Sequence, residues 1–82
     1  MNITVKLIGR YKRITGETIL TLTIEKAETI WDVVNELIKQ YPAIEKDKKF
    51  IMVSKNNIYT TIDAKIMDGD EITLSPPVVS GG

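Results

Sequence analysis

The stretch TIWDVVNELIKQYP, residues 29–42, carries the clearest structural signal in this sequence. Its apolar residues recur at intervals of three and four, which places them on one face of a helix. These residues are Ile30, Val33, Val34, Leu37, Ile38 and Tyr41. Thr29 and Asp32 can cap the first turn, and Pro42 cannot continue the helical hydrogen bonds. The stretch therefore predicts an amphipathic helix that needs an apolar surface to cover.

The sequence before this helix predicts two strands. From Asn2 to Ile8, apolar and polar residues alternate with the two-residue period of a strand that buries one face. The same alternation returns from Thr18 to Ile24, with β-branched residues that suit a pleated surface. Gly9–Gly16 between them is polar and rich in turn formers, so we expect an antiparallel hairpin with a long loop.

The sequence after the helix predicts a second β region made of short segments. They are Phe50–Ser54, Ile58–Tyr59 and Glu71–Ser75, separated by turns at Asn56-Asn57 and Asp68-Gly69-Asp70. One mixed sheet with the helix packed across it buries all these apolar faces in a single core. The predicted fold class is α+β, in the order strand, strand, helix, strand, strand. We expect one domain over residues 1–75 and an extended tail over residues 76–82.

The composition limits what this domain can do alone. Its 82 residues allow one modest core, and 11 basic residues balance 11 acidic ones, so no net charge favours nucleic acid or membranes. Cysteine and histidine are absent, which removes thiolate nucleophiles, histidine bases and the usual zinc ligands. The sequence shows neither a signal peptide nor an apolar run of membrane-spanning length. We expect a cytoplasmic protein that binds no metal or cofactor.

Three groups of charged residues look like ordinary surface chemistry. Asp68, Asp70 and Glu71 lack further metal ligands at suitable spacing, and Asp-Gly-Asp is common in turns. The other two groups are a basic loop of Arg10, Lys12 and Arg13 around Tyr11, and the lysines Lys46, Lys48 and Lys49. Charges of this kind are usually solvated, so we expect no nucleic-acid site. Trp31 is expected beside the sheet edge or partly exposed.

The tail SPPVVSGG, residues 75–82, is the part that we expect to function. Pro76 and Pro77 favour extended backbone, so they predict a stiff stalk. The seven residues from Pro76 to Gly82 span at most about 23 Å. Gly81 and Gly82 carry no side chains, so a terminal carboxylate can pass through a narrow channel. Once another enzyme adenylates it, that carboxylate becomes an acyl donor, with Gly82 supplying the acyl group and Gly81 the clearance.

Four landmarks follow one another along the chain. They are Thr15-Gly16-Glu17, Tyr41-Pro42, Asp68-Gly69-Asp70-Glu71-Ile72, and Pro76-Pro77-Val78 with Gly81-Gly82. In these landmarks the sequence resembles the β-grasp fold of the MoaD/ThiS family of ubiquitin-like sulfur carriers, in particular small subunits of molybdopterin synthase. The resemblance covers nearly the whole chain. Its specific part is the Asp-Gly-Asp-Glu turn followed by the proline and glycine tail.

The resemblance implies a three-stage chemistry performed by partners. An E1-like adenylyltransferase would use ATP to adenylate the carboxylate of Gly82, and sulfur would replace AMP to give a thiocarboxylate. The tail would then enter the large, catalytic subunit of molybdopterin synthase and donate sulfur to a pterin precursor in molybdenum cofactor biosynthesis. The chain itself would be a non-catalytic subunit. The residues expected to contact a partner groove are Pro76, Pro77, Val78, Val79 and Ser80.

Two alternatives stay open. The first keeps the tail chemistry but changes its destination to thiamine or tRNA thiolation, or to an isopeptide bond with protein lysines, as in ubiquitin-like modifiers. The second is an interaction domain with an inert tail. The resemblance also implies docking to partners through the apolar sheet surface near the tail. Ile8, Met52 and Tyr59 are candidates because they fall outside the core alternation.

Overall fold

The helix that follows Thr29 covers one face of a five-stranded sheet in the computed structural model, which describes residues 1–77. In chain order the strands are β1 (Asn2–Leu7), β2 (Ile19–Thr23), β3 (Met52–Lys55), β4 (Ile58–Thr60) and β5 (Glu71–Ser75). The α-helices are α1 (Arg10–Thr15) and α2 (Ile30–Gln40), and a 3₁₀ helix spans Pro42–Asp47. Within residues 1–77, no helix is long and apolar enough to cross a membrane.

The sheet places the last strand in its centre. The strand order is β2-β1-β5-β3-β4, in which β1 and β5 are parallel and the other neighbours are antiparallel. The register pairs Val5 with Ile72 and Leu7 with Leu74, and all four side chains are fully buried. The two central strands therefore form the floor of the core. The predicted α+β fold with a mixed sheet and one main helix across it is confirmed.

The start and end of α2 follow from its sequence. The Asp32 carboxylate accepts hydrogen bonds from the N–H groups of Glu28 (2.8 Å) and Thr29 (3.1 Å). These backbone donors, Glu28 first, hold the pKa of Asp32 below its ordinary value. At the other end, the N–H of Tyr41 donates to the Leu37 carbonyl (2.8 Å). The capped helix predicted from residues 29–42 is confirmed.

Two segments differ from the sequence-based expectation. Gly9–Gly16 was expected to be a loop, but it contains α1, whose Tyr11 is fully buried. The predicted order strand, strand, helix, strand, strand is therefore incomplete: a short helix lies between the first two strands, a 3₁₀ helix follows α2, and three strands follow it instead of two. The strand expected from Phe50 begins at Met52, because the pairing of β3 with β5 starts at Met52 opposite Ser75. In both places tertiary packing decides what local sequence leaves open.

Candidate functional site

The tail leaves the body from the middle of the sheet. Ser75, the last residue of β5, pairs with Met52 at the start of β3. On the other side, the Ile8 N–H donates to the Leu74 carbonyl (3.0 Å), which extends the β1–β5 ladder by one residue. Pro76 and Pro77 follow directly and are half-buried. The first part of the predicted stalk is therefore still partly covered by the body.

The base of the tail contacts Gly9. A Cβ built at residue 9 would lie 3.5 Å from both Cγ and Cδ of Pro76. Gly9 has φ 61° and ψ −133°, a backbone conformation that side-chain-bearing residues rarely adopt. This conformation turns the chain from β1 into α1 directly beside the first tail residue.

A buried polar cluster attaches α1 to the 3₁₀ helix. The Asp47 carboxylate is buried and accepts hydrogen bonds from the Tyr11 hydroxyl (2.8 Å) and the Arg10 guanidinium (2.5 Å). Burial raises the pKa of Tyr11, and the hydrogen bond and charge of Asp47 add to the effect. Because Arg10 follows Gly9 directly, this cluster also holds the turn against which Pro76 packs. The basic residue expected in a solvated loop is thus part of an anchor.

The outer face of the sheet surrounds the tail exit. Ile8, Met52 and Tyr59 all expose their side chains, Tyr59 by 79%, as their position outside the core alternation predicted. A groove of about 350 Å³ lies on this face, lined by Ile8, Ser54, Asn57, Tyr59, Thr73 and Ser75. Apolar surface therefore flanks Ser75, and its use for docking stays a prediction.

The acidic turn at the opposite end of β5 has a structural role. Asp68 accepts a hydrogen bond from the Asn2 N–H (2.6 Å), and Asp70 accepts one from the Met67 N–H (2.8 Å). Gly69 between them has φ 88°, which fits glycine. In the part of the chain that the structure describes, no three acidic side chains are grouped closely enough to hold a metal ion.

The sequence-based site residues fall into two sets. Pro76 and Pro77 are described: both follow Ser75 and are half-buried, and Pro76 lies beside Gly9. Val78, Val79, Ser80, Gly81 and Gly82 lie outside the described residues. Gly9 and Asp47, which support the tail base, were not among the predicted site residues. Their relation to the tail depends on contacts between distant segments, and the sequence carries no local signal for it.

The architecture defines a class of protein. A mixed sheet with the first and last strands parallel at its centre, crossed by one helix and continued by a C-terminal tail, is the β-grasp fold of ubiquitin-like proteins. The sequence profile of the ThiS family matches residues 5–82, and the chain belongs to this family.

Individual relatives agree with this assignment. The chain is 32% identical to the molybdopterin synthase sulfur carrier subunit of Arabidopsis thaliana over 82 residues, which is 100% of this chain and 84% of that protein. The small archaeal modifier protein 1 of Methanosarcina acetivorans is 27% identical, with a TM-score of 0.80 over 99% of this chain and 96% of that one. In the complex of subunits 1 and 2 of the molybdopterin-converting factor of Helicobacter pylori, one chain matches at 21% identity. That match has a TM-score of 0.63, covers 99% of this chain and 100% of the other, and shows a shared fold.

Proposed function

We propose that this chain is a sulfur carrier that acts as the small, non-catalytic subunit of a molybdopterin synthase. The observation that carries the proposal is the 32% identity to a sulfur carrier subunit across the whole chain. The family match, which extends to residue 82 and so includes both tail glycines, supports it. The chain is expected to supply a scaffold and an acyl group, while its partners supply the catalytic groups.

The proposed chemistry takes place at the carboxylate of Gly82. In an E1-like partner, a carboxylate oxygen attacks the α-phosphorus of ATP, which gives an acyl-adenylate and releases pyrophosphate. A sulfur nucleophile equivalent to hydrosulfide then attacks the acyl carbon, and AMP leaves with the bonding electron pair. The product is a thiocarboxylate, whose sulfur attacks a carbon of the pterin precursor in the large subunit and displaces an oxygen leaving group from that carbon, so that an acyl–sulfur bond joins the chain to the pterin. Water finally cleaves the acyl–sulfur bond and regenerates the carboxylate.

The absence of two residue types from the chain agrees with this division of work. Cysteine and histidine are missing from the sequence, so sulfur would have to be held at a backbone carboxyl group. The tail leaves from the central strand β5 and begins with Pro76 and Pro77, which favour extended backbone. This arrangement supports delivery of Gly82 into a partner active site while the body remains outside.

The outer sheet face is the proposed docking surface for the large subunit. Ile8, Met52 and Tyr59 expose apolar side chains around Ser75, where the tail begins. Apolar patches of this kind on small domains commonly mark protein interfaces. A partner that covers this face would meet the tail at its base and could guide it inward.

Mass spectrometry tests the carrier role. The chain is produced together with a competent E1-like enzyme and a sulfur donor, and exchange of oxygen for sulfur at Gly82 adds about 16 Da. Deleting Gly82 should abolish this gain and leave the thermal unfolding midpoint unchanged, because the last residues of a domain usually contribute little to stability. If the full-length chain stays unmodified beside an enzyme that modifies a related carrier, the proposal is wrong.

The likeness to a modifier protein favours a second candidate function. The small archaeal modifier protein 1 shares 27% identity and nearly full-length overlap with this chain. In this function an acyl group of Gly82 forms an isopeptide bond with lysines of other proteins. Isolation of the chain from its native cells distinguishes the two: peptides branched at Gly82 indicate the modifier, whereas co-purification with a larger pterin-binding subunit indicates the synthase.

The remaining alternatives differ in whether the function requires the tail. Sulfur delivery for thiamine or tRNA thiolation also requires thiocarboxylate at Gly82, so the final acceptor must be identified by adding candidate acceptor enzymes to the thiocarboxylated chain. An interaction domain with an inert tail predicts normal function after removal of Gly81 and Gly82. Loss of function in that deletion variant excludes the inert tail.

A further inference from the structure

A groove lies beside the outer sheet face, where the segment between the 3₁₀ helix and β3 meets the start of α2. It has a volume of about 420 Å³. Its lining residues are Trp31, Glu45, Lys46, Lys48, Lys49 and Phe50. None of these residues belongs to a strand, so this groove is distinct from the one around Ser75.

Two aromatic side chains give the groove an apolar wall. Phe50 is 70% exposed, although burial of such a side chain is worth roughly 1.5–3 kcal/mol. Trp31 is half-buried, and the Lys48 Nζ lies 4.2 Å from the centroid of its ring. A cation at that distance interacts favourably with the face of an indole. The groove thus combines an unused aromatic surface with a positive charge fixed beside it.

Positive charge dominates the rim. Lys46, Lys48 and Lys49 contribute three positive charges against the one negative charge of Glu45. Within residues 1–77 none of the three ammonium groups forms an ion pair. The whole chain is neutral, so this excess is local. A ligand that complements the groove must therefore be both anionic and partly apolar.

The groove is also adjacent to the outer sheet face. Lys49 lines a second depression of about 350 Å³ together with Met52 and Tyr59, which belong to that face. A partner that covers the surface around Ser75 can therefore also contact Phe50.

We propose that this groove binds an acidic segment of a partner protein, in which carboxylates flank one aromatic or aliphatic side chain. The apolar side chain packs between Trp31 and Phe50, and the carboxylates contact the surrounding lysines. The partner is one of the proteins that act on the tail, so the inference extends the proposed function. A protein segment fits better than a nucleic acid, because the chain as a whole is neutral and lacks the net positive charge that favours binding to a phosphate backbone.

Titration of the full chain with a synthetic peptide tests the proposal. The probe has the sequence Asp-Glu-Phe-Glu-Asp with blocked termini, and a second peptide with Asn and Gln in place of the acids is its control. Trp31 is the only tryptophan, so its fluorescence reports binding directly. We expect a saturable change with the acidic peptide that weakens as salt increases. Nuclear magnetic resonance should show shifts at Lys48, Lys49 and Phe50, with no shifts at Ile8.

Variants separate the contribution of the lysine charges to peptide binding from that of the aromatic side chain. The double variant Lys48→Gln/Lys49→Gln should weaken binding by about tenfold, since each surface ion pair contributes up to about fivefold. Phe50→Ser should also weaken binding by about tenfold through loss of the aromatic contact. The matched control Lys12→Gln removes an exposed charge from α1 and should leave the affinity unchanged. Affinities of variants are measured by magnetic resonance, because loss of Lys48 also alters the Trp31 signal.

Several results would overturn the inference. They are no binding of the acidic peptide, equal binding of the neutral peptide, unchanged binding by Phe50→Ser, or shifts confined to the outer sheet face. Tighter binding of a single-stranded oligonucleotide at the same residues would show that the groove binds a nucleic acid and not a protein segment. The test is independent of tail chemistry, because deletion of Gly81 and Gly82 should leave peptide binding intact. Failed peptide binding with normal thiocarboxylate formation therefore contradicts only this inference, and the reverse result contradicts only the proposed function.

Discussion

Pro76 packs against Gly9 where the chain leaves the sheet, with two ring carbons 3.5 Å from the place that a Cβ of residue 9 would occupy. This distance is an ordinary van der Waals contact, so space alone does not require glycine. The backbone does, because φ 61° with ψ −133° is closed to most other residues. The conformation of one residue between β1 and α1 thus fixes the surface on which the tail begins.

Replacement of Gly9 by asparagine should destabilise the domain. We expect Gly9→Asn to lower the free energy of unfolding by about 1–3 kcal/mol, because asparagine does not fit this combination of φ and ψ. Gly16→Asn is the matched control, since Gly16 has φ 76° and ψ 8°, a left-handed conformation that asparagine tolerates. Denaturant unfolding measures both variants. Equal losses would show that the conformation of Gly9 has no special importance.

Removal of the Tyr11 hydroxyl should lower the stability of the domain and change how that stability depends on pH in the alkaline range. At neutral pH, Tyr11→Phe loses a hydrogen bond to the buried Asp47 carboxylate, at a cost of about 1.5–3 kcal/mol. Because folding raises the pKa of Tyr11, its contribution is present below the ordinary value of 10.0 and is lost as the pH rises further. Thermal unfolding across alkaline pH should therefore show a shallower decline for Tyr11→Phe. Tyr59→Phe, which changes an exposed hydroxyl, should match the wild type; a similar effect there would contradict the assignment to Tyr11.

Neutralisation of Asp32 should weaken the start of α2. We expect Asp32→Asn to lower the free energy of unfolding by about 0.5–1 kcal/mol at neutral pH, because it weakens the bonds to the Glu28 and Thr29 amides that precede the helix and the interaction with the helix dipole. Folding lowers the pKa of Asp32, so its contribution is present above the ordinary value of 3.8 and is lost as the pH falls further. The difference between variant and wild type should disappear in strong acid. Glu25→Gln, an exposed charge change outside the helix, should show no comparable pH-dependent difference.

A substitution on the outer sheet face should affect docking but not folding. Tyr59→Ser should weaken binding to the large synthase subunit by about tenfold, because Tyr59 is an exposed aromatic residue beside the tail exit and such residues often supply much of the binding energy of an interface. Met67→Ser is the matched control, since Met67 is 73% exposed, close to the 79% of Tyr59, but lies beside the acidic turn at the other end of β5. Calorimetric titration with the large subunit measures both affinities. Equal weakening, or none in Tyr59→Ser, would argue against this face as the docking surface.

The sequence predicted those parts of the fold that depend on short-range pattern. The capped helix after Thr29 and the alternation around Val5 and Leu22 need only local periodicity, and both are present in the structure. The exposure of Tyr59 and Met52 also followed from this alternation. Such patterns are informative because one face of each element must be buried, whatever its partner is.

The missed features depend on distant partners. The α1 sequence RYKRIT is too short for a helical period, and Tyr11 and Arg10 are oriented by Asp47, which lies 36 and 37 residues further along the chain. Phe50 fitted a strand pattern, yet the strand starts two residues later. The contact of Pro76 with Gly9 likewise exists only because β1 and β5 are neighbours in the sheet. Local sequence carries no information on these pairings.

The central position of β5 has a mechanical consequence. A partner that draws the tail inward exerts a pulling force along β5, which is bonded to β1 on one side and to β3 on the other. Such a force acts in shear on two ladders, so many bonds resist it together, whereas an edge strand held on one side would detach more readily. The domain is therefore suited to withstand traction on its terminus while that terminus is held in another protein.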